Sequence, residues 1–162
     1  MLTVLTLVLV AALPVFAEDS TSEEEGWDVL AEHGPVHSAT IDTDEGTWMS
    51  VTIHDETVVF DLLGDLWSIP LNGGDATRLT SGAAWDSEPR FSPDGRRLAF
   101  VSDGGGNEQL WVMNADGTNP EQVTDEETAR VTDPVWDPDG PWLLGRRRTV
   151  DTRSIGVTEL WQ

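Results

Sequence analysis

FSPDGRRLAF, Phe91 to Phe100, is met again 45 residues later as WDPDGPWLLG, Trp136 to Gly145. Both stretches set an aromatic and a small polar residue before Pro-Asp-Gly, and an apolar run after it. Pro-Asp-Gly is turn chemistry. Pro presets φ at the first central position, Asp bonds back to the backbone, and Gly accepts a positive φ. A turn between short apolar runs, written twice at a fixed interval, reads as a hairpin inside a repeating unit.

The unit extends on both sides of that turn. Leu66-Trp67-Ser68-Ile69-Pro70-Leu71-Asn72-Gly73-Gly74 aligns with Leu110-Trp111-Val112-Met113-Asn114-Ala115-Asp116-Gly117-Thr118 at an offset of 44. The match runs without a gap to Leu79-Thr80 against Val123-Thr124. Pro89 to Gly95 aligns with Pro134 to Gly140 at an offset of 45, and a third Leu-Trp stands at Leu160-Trp161. Within the best-preserved unit, 88–92, 97–102, 109–114 and 121–124 read as four short strands. The turn at 92–95, a Gly-rich loop at 103–108 and a hairpin turn at Ala115-Asp116-Gly117 separate them. Four strands in about 44 residues, with a tryptophan in each unit, is the pattern of a β-propeller blade.

The expected fold is therefore all-β, a partial β-propeller of about two and a half four-stranded blades over residues 46–162. Phe91, Trp67, Trp111, Trp136 and Trp161 are expected in the packing, the aromatic before Pro-Asp-Gly lying between neighbouring blades. Closed rings use about four to eight blades. The chain is thus expected to be a fragment of a longer product, or else to complete its ring by self-association.

Upstream, Leu2 to Leu13 is a nearly unbroken apolar run, too short for a comfortable membrane span. Val15 and Ala17 then fit the small-x-small pattern of a cleavage site, so residues 1–17 are expected to be a signal peptide and the protein periplasmic or secreted. Residues 18–45 read as an acidic, largely extended lead-in.

The chain carries 30 acidic residues against 9 basic ones, all arginine, for a net charge of -21. That field repels nucleic acid and anionic lipid, so neither is an expected partner. A solvated acidic surface and adaptation to salt both account for it. With no cysteine, disulfides, thiolate metal sites and a cysteine nucleophile are excluded.

The histidines are His33, His37 and His54, none in a His-x-His pair, and Gly34-Pro35 denies His33 and His37 a common helix. There is no Gly-x-Ser-x-Gly, and Gly104-Gly105-Gly106 lacks the Lys that a phosphate loop needs. Asp137 and Asp139 are explained by the turn at Gly140 better than by calcium. Arg146-Arg147-Arg148 reads as a solvated strand edge rather than an anion contact. No catalytic, cofactor-binding or metal-binding residue is expected in this chain.

Residues 91–124 resemble a TolB-type, WD40-like propeller repeat. EGTWMSV at 45–51 and FDLLGDLWSIPLNGGDATRLTSGAAWDSEPRFSPDG at 60–95 are similar to the N-terminal propeller of secreted bacterial amidohydrolases. The lead-in residues Trp27-Asp28-Val29 and Ile41-Asp42-Thr43 share that likeness. The resemblance implies a non-catalytic propeller portion of an exported metal-dependent hydrolase, whose metal and active site belong to a C-terminal domain. Its expected partners are further blades and that hydrolase domain. The alternative is a TolB-like or peptidase-associated envelope propeller serving as a protein-binding scaffold. The sequence departs from the pattern at Thr52-Ile53-His54-Asp55, where the first Ser-Pro-Asp-Gly would stand, and at Gly145-Arg146-Arg147-Arg148 in the third unit.

Overall fold

The computed structural model describes residues 43, 45–140 and 142–149, and all regular structure within them is antiparallel β. The expected signal peptide, most of the lead-in and Leu160-Trp161 lie outside the described residues.

Two complete four-stranded sheets follow one another. The first is β1 (Val51–His54), β2 (Thr57–Leu62), β3 (Asp65–Pro70) and β4 (Thr77–Arg78), paired in that order. The second is β5 (Asp86–Phe91), β6 (Arg97–Ser102), β7 (Gln109–Asn114) and β8 (Glu121–Gln122). A third begins with β9 (Ala129–Trp136) against β10 (Leu143–Thr149). Phe60 faces Trp67 across the first sheet and Phe100 faces Trp111 across the second, so the sequence repeat is a repeat of register.

Turn chemistry explains the hairpins. Ser92 N donates to Arg97 O at 2.9 Å, and Asp94 Oδ1 accepts from the Ser92 hydroxyl and the Arg96 amide. Gly95 takes φ 68°, and a Cβ there would overlap the His54 imidazole of the preceding sheet. The next unit repeats the closure with Asp137 N on Trp142 O at 2.9 Å and Asp139 N on Asp137 Oδ1 at 3.1 Å. The first unit reverses instead in two residues, Asp55-Glu56, with Asp55 at φ 48°.

The outer strand ends earlier than expected, at Gln122 rather than Thr124. Val123 and Thr124 both turn their amides to Leu110 O, while the Thr124 hydroxyl accepts from Leu110 N at 2.9 Å. Leu79, Thr80 and Leu66 repeat the device in the first sheet, with 3.0 Å to the Thr80 hydroxyl. The recurrent threonine thus serves as a strand terminator that satisfies the leucine amide.

Each sheet buries one face on the next. Val59 and Leu66 of the first sheet pack on Leu98, Phe100 and Met113 of the second, with Leu79, Phe91 and Trp111 alongside. Val101 and Leu110 of the second then pack on Val131 and Leu143 of the third. Fully burying one such side chain stabilises by about 1.5–3 kcal/mol, so these two seams hold the stack together. At the second seam Gly145 is buried, because a Cβ there would lie 2.7 Å from Leu110 Cδ1 and 2.8 Å from Val131 Cγ1. The register breaks at that point, and the arginine run continues as the rest of β10.

Phe91, Trp111 and Trp136 take the packing roles expected of them. Trp136 crosses the second seam, its Nε1 donating to Arg90 O at 3.0 Å and its ring lying under the Arg97 guanidinium. Trp67 is a correction. It is half-buried and, with Phe60, Leu62 and Ile69, lines an open groove of about 790 Å³ on the far face of the first sheet. Among the described residues no sheet lies on that face; the Arg78 guanidinium lies over the ring at 5.9 Å, and the Trp67 Nε1 donates to Leu62 O at 3.3 Å. Trp161 lies outside the described residues.

Candidate functional site

The polar chemistry of the chain collects at the blade junctions. Asp61, buried at the end of β2, accepts from Ser50 N at 2.7 Å and from Glu88 N of the next sheet at 2.9 Å. Glu88 in turn accepts from Asp133 N of the third sheet at 2.7 Å. Asp133 receives the Thr132 hydroxyl at 2.9 Å and pairs with Arg146. Glu88 and Asp133 stand 45 residues apart, both left-handed at φ 54° and 55°, and both precede a buried proline. The carboxylates of Asp61 and Glu88 therefore each fasten the first strand of the following sheet, while that of Asp133 ties β9 to β10. Burial is the main reason that the Glu88 carboxyl sits above its ordinary range, and the Asp133 amide pulls the other way. A carboxylate whose oxygens hold backbone amides is engaged in structure and poorly placed to act as a base.

A second cluster is Asp86, 6% exposed at the start of β5. Burial raises its carboxyl above the ordinary 3.8; hydrogen bonds with Ser102 and Thr80 oppose the rise, and Asp65 and Asp103 add to it. Asp65 is itself paired with Arg78 at 2.6 Å. Buried Gln109 closes the second junction. Its Nε2 donates to Ala129 O and Glu126 O, and its Oε1 accepts from the Thr124 hydroxyl at 2.8 Å.

The residues weighed from the sequence fall as follows. His54 ends β1 with its ring 5.6 Å from Phe91, so it packs in the first junction beside Asp55. His33 and His37 lie outside the described residues. Gly104 to Gly106 belong to the β6–β7 turn, with Gly106 at φ 97°. Arg146 and Arg148 are exposed on β10, as expected of a strand edge, but Arg146 pairs with Asp133 of β9 and Arg147 with Glu126 of the segment after β8. Among the described residues, no group of three or more His, Asp or Glu is arranged to hold a metal ion.

Sequence reasoning missed the carboxylate line and one exposed feature. The signal for the first was present in the recurring acid-Pro pairs Glu88-Pro89 and Asp133-Pro134. The second is Trp85, exposed with its ring against Gly64 of the β2–β3 turn, at the end of the sheets that also carries the β6–β7 turn. That end also bears an open hollow of about 560 Å³ lined by Asp103, Asn107, Glu108, Glu127, Thr128 and Arg130.

Successive four-stranded antiparallel sheets, each packing one face on the next, define the blades of a β-propeller. The chain belongs to the family of the tricorn protease N-terminal β-propeller domain, whose profile matches residues 47–159. It is 35% identical over 96 residues to the uncharacterized peptidase YuxL of Bacillus subtilis strain 168, a match covering 56% of this chain and 14% of YuxL. It is 32% identical over 87 residues to tricorn protease homolog 1 of Streptomyces coelicolor, covering 54% of this chain and 8% of that protein. Among solved structures, a TolB chain from Agrobacterium tumefaciens superposes with a TM-score of 0.54 at 28% identity, over 61% of this chain and 37% of that one. The chain thus spans a small part of the length of the relatives it matches.

Proposed function

We propose that this chain is the non-catalytic propeller module of an exported peptidase-type hydrolase, in which the blades hold or admit protein substrates while another domain cleaves them. The observation that carries this reading is the match of its blades to a short stretch of a much longer peptidase. The tricorn protease homologue supports it in the same way. The junction carboxylates accord with it, since they are occupied in fastening blades. An amidohydrolase as the enzyme served, which the wording at 45–51 and 60–95 implies, finds no support in those relatives. Export rests on the apolar leader and the cleavage pattern at Ala17, and an envelope location on the likeness to TolB as well.

The test is the mass of the native product, read with an antibody raised against residues 91–124 on cell-envelope and culture fractions. A band several times larger than 17.7 kDa, with peptidase activity in the same immunoprecipitate, is the expected result. A band at or below 17.7 kDa that brings down no peptidase overturns the reading.

A further inference from the structure

The two junctions use corresponding positions differently. Asp86 N donates to Gly64 O at 2.8 Å in the first junction, and Val131 N to Glu108 O at 2.9 Å in the second. The residue before each donor is Trp85 in one case and Arg130 in the other. The residue before each acceptor is Leu63 and Asn107. In the second junction both positions are spent on the fold. Arg130 pairs with Glu108 at 2.9 Å, and the Asn107 amide donates to Glu126 O and Ala129 O. In the first they are not, since Trp85 is 62% exposed and Leu63, on the rim of the groove that Trp67 lines, is 66% exposed.

This exposure is held in place. The Trp85 amide donates to Asp103 Oδ1 at 2.7 Å, and its ring lies so close to Gly64 that a Cβ there would come within 3.0 Å of Cε3. Leu63 and Gly64 form a two-residue hairpin turn with φ 57° and 87°, a geometry that favours Asn-Gly and strains leucine. A strained leucine beside an anchored, solvent-facing tryptophan costs stability that the fold itself does not require, as the second junction shows. Such outliers point to function, and tryptophan is the side chain most enriched among binding anchors.

Asp103 joins this patch to the acidic hollow, because one of its oxygens fastens Trp85 while the residue lines the hollow. Of the three carboxylates there, Asp103, Glu108 and Glu127, only Glu108 is met by Arg130. We propose that Leu63, Trp85 and the adjoining hollow form a docking surface for a basic peptide segment that carries an apolar side chain next to its positive charge. The apolar side chain packs on Trp85 and Leu63, and the guanidinium or ammonium group enters the hollow beside Asp103 and Glu127. The net charge of -21 steers such a segment toward the chain and repels nucleic acid. This inference deepens the peptidase-module reading above and rests on it, naming the kind of polypeptide the blades hold.

The test uses the full chain and fluorescence anisotropy of a fluorescein-labelled peptide, Gly-Ser-Leu-Arg-Trp-Arg-Ser-Gly, at about physiological salt. Two companion peptides replace either its apolar residues by serine or its arginines by glutamate. The parent peptide is expected to bind, and both companions to bind at least about tenfold more weakly. Trp85→Ala and Leu63→Asn are expected to cause a similar loss. Leu63→Asn should melt no lower than the parent chain because Asn-Gly suits the turn, which separates lost binding from lost folding. Equal binding of the serine peptide, with Trp85→Ala indifferent, would show attraction by the acidic field alone and overturn the proposal. No binding of the parent peptide overturns it as well. Either failure beside a large native product with peptidase activity refutes the docking surface only, whereas a small product without peptidase refutes the peptidase-module reading.

Discussion

Gly145 sits where Leu110 and Val131 leave no room for a methyl group, and it does so without a left-handed backbone. Its smallness is therefore a packing requirement of the second seam. Gly145→Val is expected to destabilise the chain by about 1–3 kcal/mol, as overpacking of a close-fitted core does, read from urea unfolding. Asp86 offers a test in pH. Its folded carboxyl is raised above the ordinary 3.8, chiefly by burial. A raised group favours the folded state below its unfolded value, and that advantage is lost as pH climbs through the folded value. Asp86→Asn keeps an amide for Ser102 and Thr80 and removes the charge. The melting temperature of the variant is expected to gain on that of the parent between about pH 4 and pH 7. A constant difference across that range would show that Asp86 does not titrate as described.

At the scale of the element, β6 and β7 coincide with the strands expected from alternation and turn residues, because hairpin turns leave little choice of register. The first strand begins at Asp86 rather than Glu88 and carries a bulge where Glu88 turns left-handed. No local rule announces that bulge, since its cause is the amide that Glu88 gives to Asp61 of another sheet. The recurring threonine has a cause within reach of the sequence, for Leu79-Thr80 and Val123-Thr124 align at the same offset as Leu66 and Leu110. That its hydroxyl ends the strand is settled only by the fold, which sets it against the leucine amide. Thr124→Val is expected to cost about 1–3 kcal/mol by leaving the buried Leu110 amide unpaired and taking from the Gln109 oxygen its shorter hydrogen bond. Thr124→Ser should recover most of that loss, and thermal melts of the pair check it. If valine is tolerated as well as serine, the hydroxyl is not what ends the strand.

For the whole molecule the governing quantities are the charge and the seams. With 30 acidic residues against 9 arginines, repulsion outweighs attraction, although ion pairs such as Arg78–Asp65 tie neighbouring strands. Raising salt from about 0.1 to 1 M shortens the screening length from about 10 to 3 Å. The melting temperature is accordingly expected to rise over that range, as calorimetry in sodium chloride would show. A fall would mean that the ion pairs matter more than the net charge. The repeat, its length, the four strands per unit, the turns and most of the packing aromatics were legible in the sequence alone, because each is set by neighbours in the chain. Which face of each sheet meets the next, why Glu88 and Asp133 are left-handed, and why Trp67 lines a groove while Trp111 packs on the core were decided only by tertiary structure. The physical reason is that these depend on contacts between blades tens of residues apart, where a buried amide must find a carboxylate and an apolar face must find another to cover it.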